Sequence, residues 1–235
     1  MFERPYHRDV ALVLQSLDAD VLAHRGCYFG GGTAMALRYG EYRESADIDF
    51  LVADLAGYRE LRQMLGGAEG LAPLVRTGMQ LELAREVRTD QYGIRTQVRS
   101  GAASIKFEIV LEARIAFEVP GPDDQVCGIR TLAPVDLAAE KLLANADRWA
   151  DDAVFSRDLI DLAMQGGPPA LLQAACAKAE GAYGASVRKA LADAVDALRR
   201  RPQRIGECMR ALGIESISKA QLWARIRELP KRLPA

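Results

Sequence analysis

The sequence is poor in the side chains that most often build metal centres and nucleophilic triads. Its 235 residues include only two histidines, His7 and His24, and four cysteines, none of them in a Cys-x-x-Cys pair. A zinc site needs several such ligands at close spacing, so the sequence argues against one, and histidine-based catalysis has few candidates. The chemistry is therefore expected from carboxylates, lysine, arginine and the backbone.

Long apolar segments are also missing. The longest run without a charged residue, residues 162–177, is broken by a Gly-Gly-Pro-Pro sequence and is shorter than the roughly 20 residues of a membrane span. The first ten residues carry four charged side chains and no apolar stretch of the secretory type. We therefore expect a cytoplasmic protein with no membrane partner, whose cysteines are small buried hydrophobes.

Charge is balanced overall but not along the chain. The 31 Lys and Arg against 32 Asp and Glu give a net charge of −1, and a hydrophobic share of 49% is typical of a globular protein. Residues 178–235 nevertheless hold 13 cations and 6 carboxylates. Two interpretations stay open: this segment faces a polyanion, or its charges are solvated and paired with the acidic remainder.

The hydrophobic pattern predicts an α+β domain over residues 1–130 and a helical domain over 131–235. In the first domain the spacing predicts helices over 9–22, 33–39 and 58–65 and strands over 27–29, 47–52, 81–83, 94–98, 105–110 and 126–129. In the second it predicts helices over 135–149, 155–164, 169–180, 185–200, 203–212 and 218–229.

Two aspartates at the start of a predicted strand are the first candidate site residues. Residues i and i+2 of a strand point to the same face, so Asp47 and Asp49 project together. Two carboxylates about 4 Å apart repel by roughly 4 kcal/mol at an effective dielectric of 20. A divalent cation relieves this repulsion, and Mg²⁺ accepts one or two protein carboxylates together with phosphate oxygens.

A glycine-rich turn precedes the aspartates. Gly31, Gly32 and Thr33 stand where a predicted strand gives way to a predicted helix. Glycine lets the backbone approach a phosphate closely, the helix start offers free N–H groups, and the Thr33 hydroxyl adds a donor. Metal carboxylates beside a phosphate cradle predict a site of nucleotidyl or phosphoryl transfer.

A third carboxylate is expected from a neighbouring strand. Glu108 is the candidate because it interrupts the otherwise apolar strand predicted over 105–110, and Glu112 is the reserve. Glu108 is predicted to complete the metal site with Asp47 and Asp49, either as a direct ligand or as a base acting through water. The alternative is an ordinary residue of an edge strand or a solvent face.

Four motifs in order resemble the polymerase-β-like nucleotidyltransferase superfamily and, within it, the AbiEii/AbiGii toxin family. They are YFGGGTAMAL at 28–37, RxSxDIDF at 43–50, AEKLLA at 139–144 and SRDLIDL at 156–162. The gap between the glycines and Asp47 is slightly longer than the usual superfamily pattern, and Glu108 stands where Asp is frequent. The resemblance implies a nucleotidyltransferase core with a small mixed sheet, followed by a C-terminal helical bundle.

The resemblance also implies roles for residues outside the carboxylate cluster. Lys141, in the helical domain, would neutralise triphosphate charge in the cleft, and Asp158 with Arg157 would position the nucleotide or Lys141. Arg43 and Ser45 would contact phosphate. For each residue, an ordinary surface or helix-pair role is the alternative.

The activity implied is in-line attack of an acceptor hydroxyl on the α-phosphate of a nucleoside triphosphate, with Mg²⁺ or Mn²⁺ as cofactor. The family's association with toxin–antitoxin systems implies tRNA as the acceptor and a cognate antitoxin as a partner. The alternatives are a nucleotidyltransferase acting on a small molecule or a protein, and a non-catalytic protein of the same fold that binds nucleotide or a partner.

Overall fold

The computed structural model describes residues 2–234, which form two compact units. The sheet unit comprises the chain up to Glu41 and the segment Ser45–Ala133, and the helical unit comprises Tyr42–Glu44 and the chain from Pro134 onward. The three residues Tyr42–Glu44 thus group with the C-terminal helices although they lie in the first fifth of the chain. No pattern in the sequence indicates this excursion.

The sheet unit contains a five-stranded mixed sheet. Its strands are β1 (Cys27–Gly30), β2 (Ile48–Val52), β3 (Glu82–Thr89), β4 (Gly93–Ser100) and β5 (Ala103–Leu111). Their spatial order is β1-β2-β5-β4-β3, with β2 and β5 parallel and every other neighbouring pair antiparallel. The parallel pair places the strand that follows the glycine turn beside the strand of Glu108.

Four helices belong to this unit: α1 (Pro5–Ser16), α2 (Ala19–Ala23), α3 (Gly31–Arg38) and α4 (Leu55–Leu65). The single helix predicted over 9–22 is wrong. Leu17 leaves the helix to form an isolated bridge with Val75, and the Asp18 carboxylate then caps α2 by accepting the N–H groups of Asp20 and Val21.

The strand predicted over 126–129 is also wrong in detail. The structure has two-residue strands β6 (Gln125–Val126) and β7 (Ile129–Arg130) joined as a hairpin. Both residues between them, Cys127 and Gly128, have positive φ angles of 54° and 81°. Two residues of positive φ form the turn that matches the twist of a tight hairpin.

Aromatic packing fixes the inner face of the sheet. Phe50 lies between Phe29 and Phe107, with ring centroids 5.7 and 5.5 Å apart, and all three side chains are fully buried. Burying each ring contributes about 1.5–3 kcal/mol. Because side chains alternate along a strand, Asp49 and Glu108 lie on the opposite, outer face of the sheet.

The helical unit contains six further helices. They are α5 (Pro134–Arg148), α6 (Arg157–Gln165), α7 (Pro169–Tyr183), α8 (Ser186–Arg200), α9 (Arg204–Ala211) and α10 (Lys219–Glu228). α5 packs against α6, α7 and α8, and α10 packs against α6 and α9. The predicted α+β fold, a small mixed sheet followed by C-terminal helices, is confirmed. None of the helices found in residues 2–234 is long and apolar enough to cross a membrane.

Candidate functional site

Asp49 and Glu108 are direct neighbours in the sheet. Residue pairing across the strands aligns Gly30 with Asp49, Asp49 with Glu108, and Glu108 with Arg95. Neighbouring strands lie about 4.8 Å apart, so this row places the two carboxylates side by side on the outer face. The carboxylate pair predicted from separate parts of the chain is therefore brought together by the parallel β2–β5 pairing.

Asp47 is exposed and stands immediately before β2, two residues from the half-buried Asp49. The ammonium of Lys106 interacts electrostatically with the carboxylates of Asp47, Asp49 and Glu108. Burial alone would lower the pKa of Lys106, but its hydrogen bond to Glu108 and the charges of Glu108, Asp49 and Asp47 raise it. The outer face thus gathers three negative charges around one lysine.

Glu108 is held by two cations. Lys106 Nζ lies 2.6 Å from its Oε2 and Arg95 Nε lies 3.2 Å from its Oε1, and its side chain is 15% exposed. β5 lies between β2 and β4, so Glu108 is not on an edge strand. Within residues 2–234, no three His, Cys, Asp or Glu side chains lie close enough together to form a metal site.

The reserve residue Glu112 lies just beyond β5 and serves a local purpose. Its side chain is buried and accepts hydrogen bonds from the Arg114 backbone N–H at 2.6 Å and from Arg114 Nη2 at 2.6 Å. It stabilises the chain where the strand ends.

The glycine turn lies directly against Asp49. Gly31 begins α3 with φ of +66°, and a Cβ built on it would come within 2.4 Å of Asp49 Oδ2. Any larger residue would collide with the carboxylate, so this position requires glycine both for lack of space and for its left-handed φ. The first helical turn, which includes Gly32 and Thr33, has backbone N–H groups without intrahelical acceptors and can receive an anion.

A buried chain of hydrogen bonds joins this turn to the loop before Asp47. The Thr33 hydroxyl, predicted to meet phosphate, is fully buried and donates to Ser45 Oγ at 2.8 Å. The Ser45 N–H donates to Nε2 of the fully buried His7 at 3.3 Å, and His7 Nδ1 lies 2.7 Å from Glu41 Oε1. In the tautomer whose Nε2 accepts the Ser45 N–H, the Nδ1–H donates to Glu41.

Glu41 anchors that chain at the start of α1. It has a left-handed backbone with φ of 51°, and its carboxylate accepts the backbone N–H groups of Glu3 at 2.8 Å and Arg4 at 3.3 Å. Burial would raise the pKa of Glu41, but these hydrogen bonds and the one from His7 lower it. His7 was not predicted as a positioning residue, because nothing in its spacing links it to Glu41.

In the helical unit, a second set of charges is buried. Arg43 donates from Nε to Asp161 Oδ1 at 2.7 Å and from Nη2 to Oδ2 at 2.9 Å, while Tyr42 OH donates to Oδ1 at 2.7 Å. Arg43 Nη1 donates to the Glu44 carbonyl oxygen at 3.0 Å. Every nitrogen of the Arg43 side chain that can donate is therefore used within this unit.

Lys141 and Asp158 belong to the same buried cluster. Lys141 Nζ lies 2.7 Å from Asp161 Oδ2 and 3.1 Å from Asp158 Oδ1, and Arg148 Nε donates to Asp158 Oδ2 at 2.7 Å. Burial would raise the pKa of Asp161, but Arg43 and Lys141 hold it well below its usual range. The pKa of Asp158 is lowered as well, against burial, by Lys141 and Arg148.

The sequence predicted Lys141, Asp158 and Arg43 separately, and the structure unites them through Asp161. Asp161 itself escaped sequence reasoning, although it lies three residues after Asp158 and therefore on the same face of α6. Arg157, the remaining predicted residue of this motif, is half-buried at the first position of α6.

The oxygen donors of the sheet unit suit a hard divalent cation. Asp47 and Asp49 offer carboxylates on one face, and the backbone of Gly31 lies against Asp49. The carboxylate oxygens of these two residues are ligands of the kind that Mg²⁺ or Mn²⁺ accepts, and those of Glu108 pair with Lys106 and Arg95.

Two solved structures share this fold. One, described as "putative nucleotidyltransferase from H. pylori", is 15% identical with a TM-score of 0.55, and the match covers 98% of this chain and 97% of that one. The other, JHP933 from Helicobacter pylori, is also 15% identical, with a TM-score of 0.53 and coverage of 99% and 94%. A search of curated proteins found no match.

The mixed sheet brings the glycine turn, Asp49 and Glu108 together on one face. The family model described as "Nucleotidyl transferase AbiEii toxin, Type IV TA system" matches residues 13–226, and the chain belongs to this family. The resemblance stated from the four motifs is thereby confirmed, and the protein is a transferase of the toxin–antitoxin class.

Proposed function

We propose that this enzyme transfers a nucleoside monophosphate from a nucleoside triphosphate to a hydroxyl group of tRNA. The observation that carries the proposal is the row formed by the glycine turn, Asp49 and Glu108 on the outer face of the sheet. It combines a place for phosphate, acidic metal ligands and a further carboxylate within two strand spacings.

We propose that Asp47 and Asp49 hold Mg²⁺, or Mn²⁺ in its place. A bound divalent cation supplies Lewis-acid polarisation of the phosphoryl oxygens and neutralises the leaving pyrophosphate. The N–H groups at the start of α3 hold triphosphate oxygens through the positive end of the helix dipole. Ser45, tied to Thr33, keeps the loop before Asp47 in place.

Glu108 is assigned to the acceptor hydroxyl. It orients that group or takes its proton while the acceptor oxygen bonds to the α-phosphorus and the bond to the β-phosphate oxygen breaks. Lys106 and Arg95 hold the carboxylate in position. For Lys141, Asp158 and Arg43 we propose a positioning role, since their mutual ion pairs fix α5 against α6 within the helical unit.

The choice of tRNA, a cognate antitoxin and a cytoplasmic setting rests on the family's description as a type IV toxin–antitoxin nucleotidyltransferase. A toxin of this class needs an acceptor whose modification stops growth, and the cytoplasm supplies both tRNA and nucleoside triphosphates. A cognate antitoxin is proposed from the family description alone, and no surface of this chain is assigned to it.

Label transfer tests the proposal. The protein and its Asp47→Ala/Asp49→Ala variant are incubated with Mg²⁺, each α-labelled nucleoside triphosphate in turn, and total tRNA. Label on tRNA with the unchanged protein alone supports the proposal and identifies the nucleotide used. If tRNA stays unlabelled, the assay is repeated with a cell extract. A protein or small molecule that becomes labelled there would replace tRNA as the acceptor.

A further inference from the structure

The outer face of the sheet continues past the carboxylates as a band of cations. On β4 and β5 the inward residues, among them Val98 and Phe107, are buried, while Arg95, Arg99 and Lys106 point outward with 43%, 53% and 49% of their side chains exposed. Strand alternation makes this the same face as that of Asp49 and Glu108.

β3 extends the band to the edge of the sheet. Its pairing with β4 aligns Arg88 with Arg95 and Arg85 with Gln97, and two irregularities in the register keep both arginines on the outer face despite their odd spacing. Arg85 and Arg88 are exposed. In the part of the chain that the structure describes, neither takes part in an ion pair.

We define the basic strand face by its five cations: Arg85, Arg88, Arg95, Arg99 and Lys106. The carboxylates paired in the same rows are Asp49, Glu82 and Glu108, and Glu86 is exposed on β3 as well, so five cations face four carboxylates. The ion pairs that Arg95 and Arg99 make with Asp90 and Glu82 are exposed, and such pairs contribute little. Phosphate can therefore replace those partners at small cost.

The basic strand face is continuous with the candidate active site. One row of paired residues runs from Asp49 through Glu108 and Arg95 to Arg88. Three strand spacings of about 4.8 Å span about 14 Å.

The cations of residues 178–235 offer a contrast. Eight of the 13 form ion pairs: Lys178, Arg188, Lys189, Arg199, Arg201, Arg204, Arg227 and Lys231. Arg201 and Arg204 share Asp152, and Arg227 and Lys231 share Glu228. None of the eight lies on the five-stranded sheet. Lys178, Arg201 and Arg204 pair with Asp136 and Asp152, which lie outside the segment, so part of its excess positive charge is neutralised by the preceding helices.

We propose that the basic strand face binds the phosphodiester backbone of the acceptor RNA and guides its reacting end toward Asp49 and Glu108. The inference rests on the proposed function for the identity of the acceptor. It adds the surface that holds it, which neither the family motifs nor the charge distribution along the chain indicates. Contacts of this kind supply affinity without reading sequence.

Binding without chemistry separates this inference from the proposed function. Affinity for tRNA is measured by fluorescence anisotropy without nucleoside triphosphate or metal, at several salt concentrations, for the unchanged protein and for Arg85→Glu/Arg88→Glu. The matched control is Arg200→Glu/Lys219→Glu, which alters charge equally at two exposed helical positions. Thermal unfolding checks that each variant is folded.

We expect Arg85→Glu/Arg88→Glu to weaken tRNA binding at least about ten-fold and to reduce the salt dependence, while the control binds as the unchanged protein does. The KM for tRNA should rise with little change in the KM for nucleoside triphosphate. Equal binding by both variants would overturn the inference, and so would a rise in the triphosphate KM alone. If tRNA binds but is never labelled, tRNA is not the acceptor. The comparison of binding by the two variants then still tests whether the basic strand face binds RNA.

Discussion

The aspartates of the two units differ in their exposure and in what neutralises them. Asp47 and Asp49 lie at the surface of the sheet unit and share one lysine with Glu108. Asp158 and Asp161 are buried in the helical unit, where each accepts ion pairs from two cations of that unit. The same residue type is therefore partly exposed to solvent in one unit and buried among paired cations in the other.

This difference predicts how each pair responds to substitution. Removing a surface carboxylate that holds a metal should abolish catalysis and spare the fold. Removing a buried, fully paired carboxylate should instead cost stability, because the cations left behind stay desolvated without a partner.

The largest effect on rate is expected for Asp49→Ala. Loss of a metal ligand removes several kcal/mol of transition-state stabilisation, so transfer should fall by about 1,000-fold. The unfolding temperature should be unchanged or slightly raised, since a repulsion with Asp47 is relieved. Steady-state transfer and thermal unfolding measured together check both statements, and full transfer activity in the variant would refute the metal assignment.

The largest effect on stability is expected for Asp161→Ala. Arg43 and Lys141 would lose a buried partner, which should lower the free energy of unfolding by about 3–5 kcal/mol. The matched control is Asp196→Ala, which removes an exposed partner of Arg199 and should cost less than about 0.5 kcal/mol. Denaturant titration of both variants tests the comparison, and equal losses would contradict it.

Gly31→Ala separates the geometry of the turn from its charge. Its Cβ would overlap the Asp49 carboxylate, and its left-handed φ disfavours alanine, so transfer should fall about 10- to 100-fold through displacement of Asp49. Gly67→Ala is the control, because a Cβ there meets nothing within 4 Å. Transfer rates and unfolding temperatures are measured for both variants, and the strain at Gly31 should also lower the unfolding temperature of Gly31→Ala. Unchanged transfer in Gly31→Ala would show that this contact is not needed.

A moderate effect is expected for His7→Phe. The ring size is nearly kept, but the Glu41 carboxylate and the Ser45 N–H lose their buried partner, at a cost of about 1–3 kcal/mol. The loop before Asp47 should loosen, lowering kcat more than it raises the KM for nucleoside triphosphate. His7→Gln, which can keep one of the two hydrogen bonds, should recover part of the loss. Equal behaviour of the two variants would argue against positioning through Ser45.

The smallest effect is expected in the acid limb of the stability profile. The pKa values of Asp161 and Asp158 are lowered in the folded state, so the stability they contribute is present above their unfolded values near 3.9 and is lost as pH falls. The free energy of unfolding should therefore decline from about pH 5 downward, less steeply in Asp161→Asn. A parallel decline in both proteins would show that other groups cause it.

Much of the outer face could be predicted from local pattern. The alternation of Ile105, Phe107 and Ile109 with polar residues fixes which side of β5 is buried, and Asp47 and Asp49 follow the same period. That Asp49 and Glu108 are adjacent depends on the parallel pairing of strands about 60 residues apart in the chain. The interruption of an apolar strand makes Glu108 a candidate, but nothing in the spacing indicates the parallel pairing that places it beside Asp49.

The rest could not be predicted, for reasons that can be named. Leu17 fits a helical period and gives no sign of the break at Asp18. The bonds from His7 to Glu41 and from Arg43 to Asp161 are long-range contacts between polar residues, for which periodicity carries no information. Asp161 could have been predicted, because it lies on the same face of α6 as Asp158 and two neighbouring acids favour pairing with a shared cation.

Metal-dependent binding of the nucleotide tests the central claim most directly. Mn²⁺ binding is followed by electron paramagnetic resonance in the presence of a nucleoside triphosphate analogue with a methylene group between the α- and β-phosphates. We predict that Asp47→Asn/Asp49→Asn loses the protein-bound Mn²⁺ signal while Asp193→Asn/Asp196→Asn, altered at two acids of α8, keeps it. An unchanged signal in Asp47→Asn/Asp49→Asn would mean that the surface aspartates do not hold the metal, and the contrast between the two units would fail.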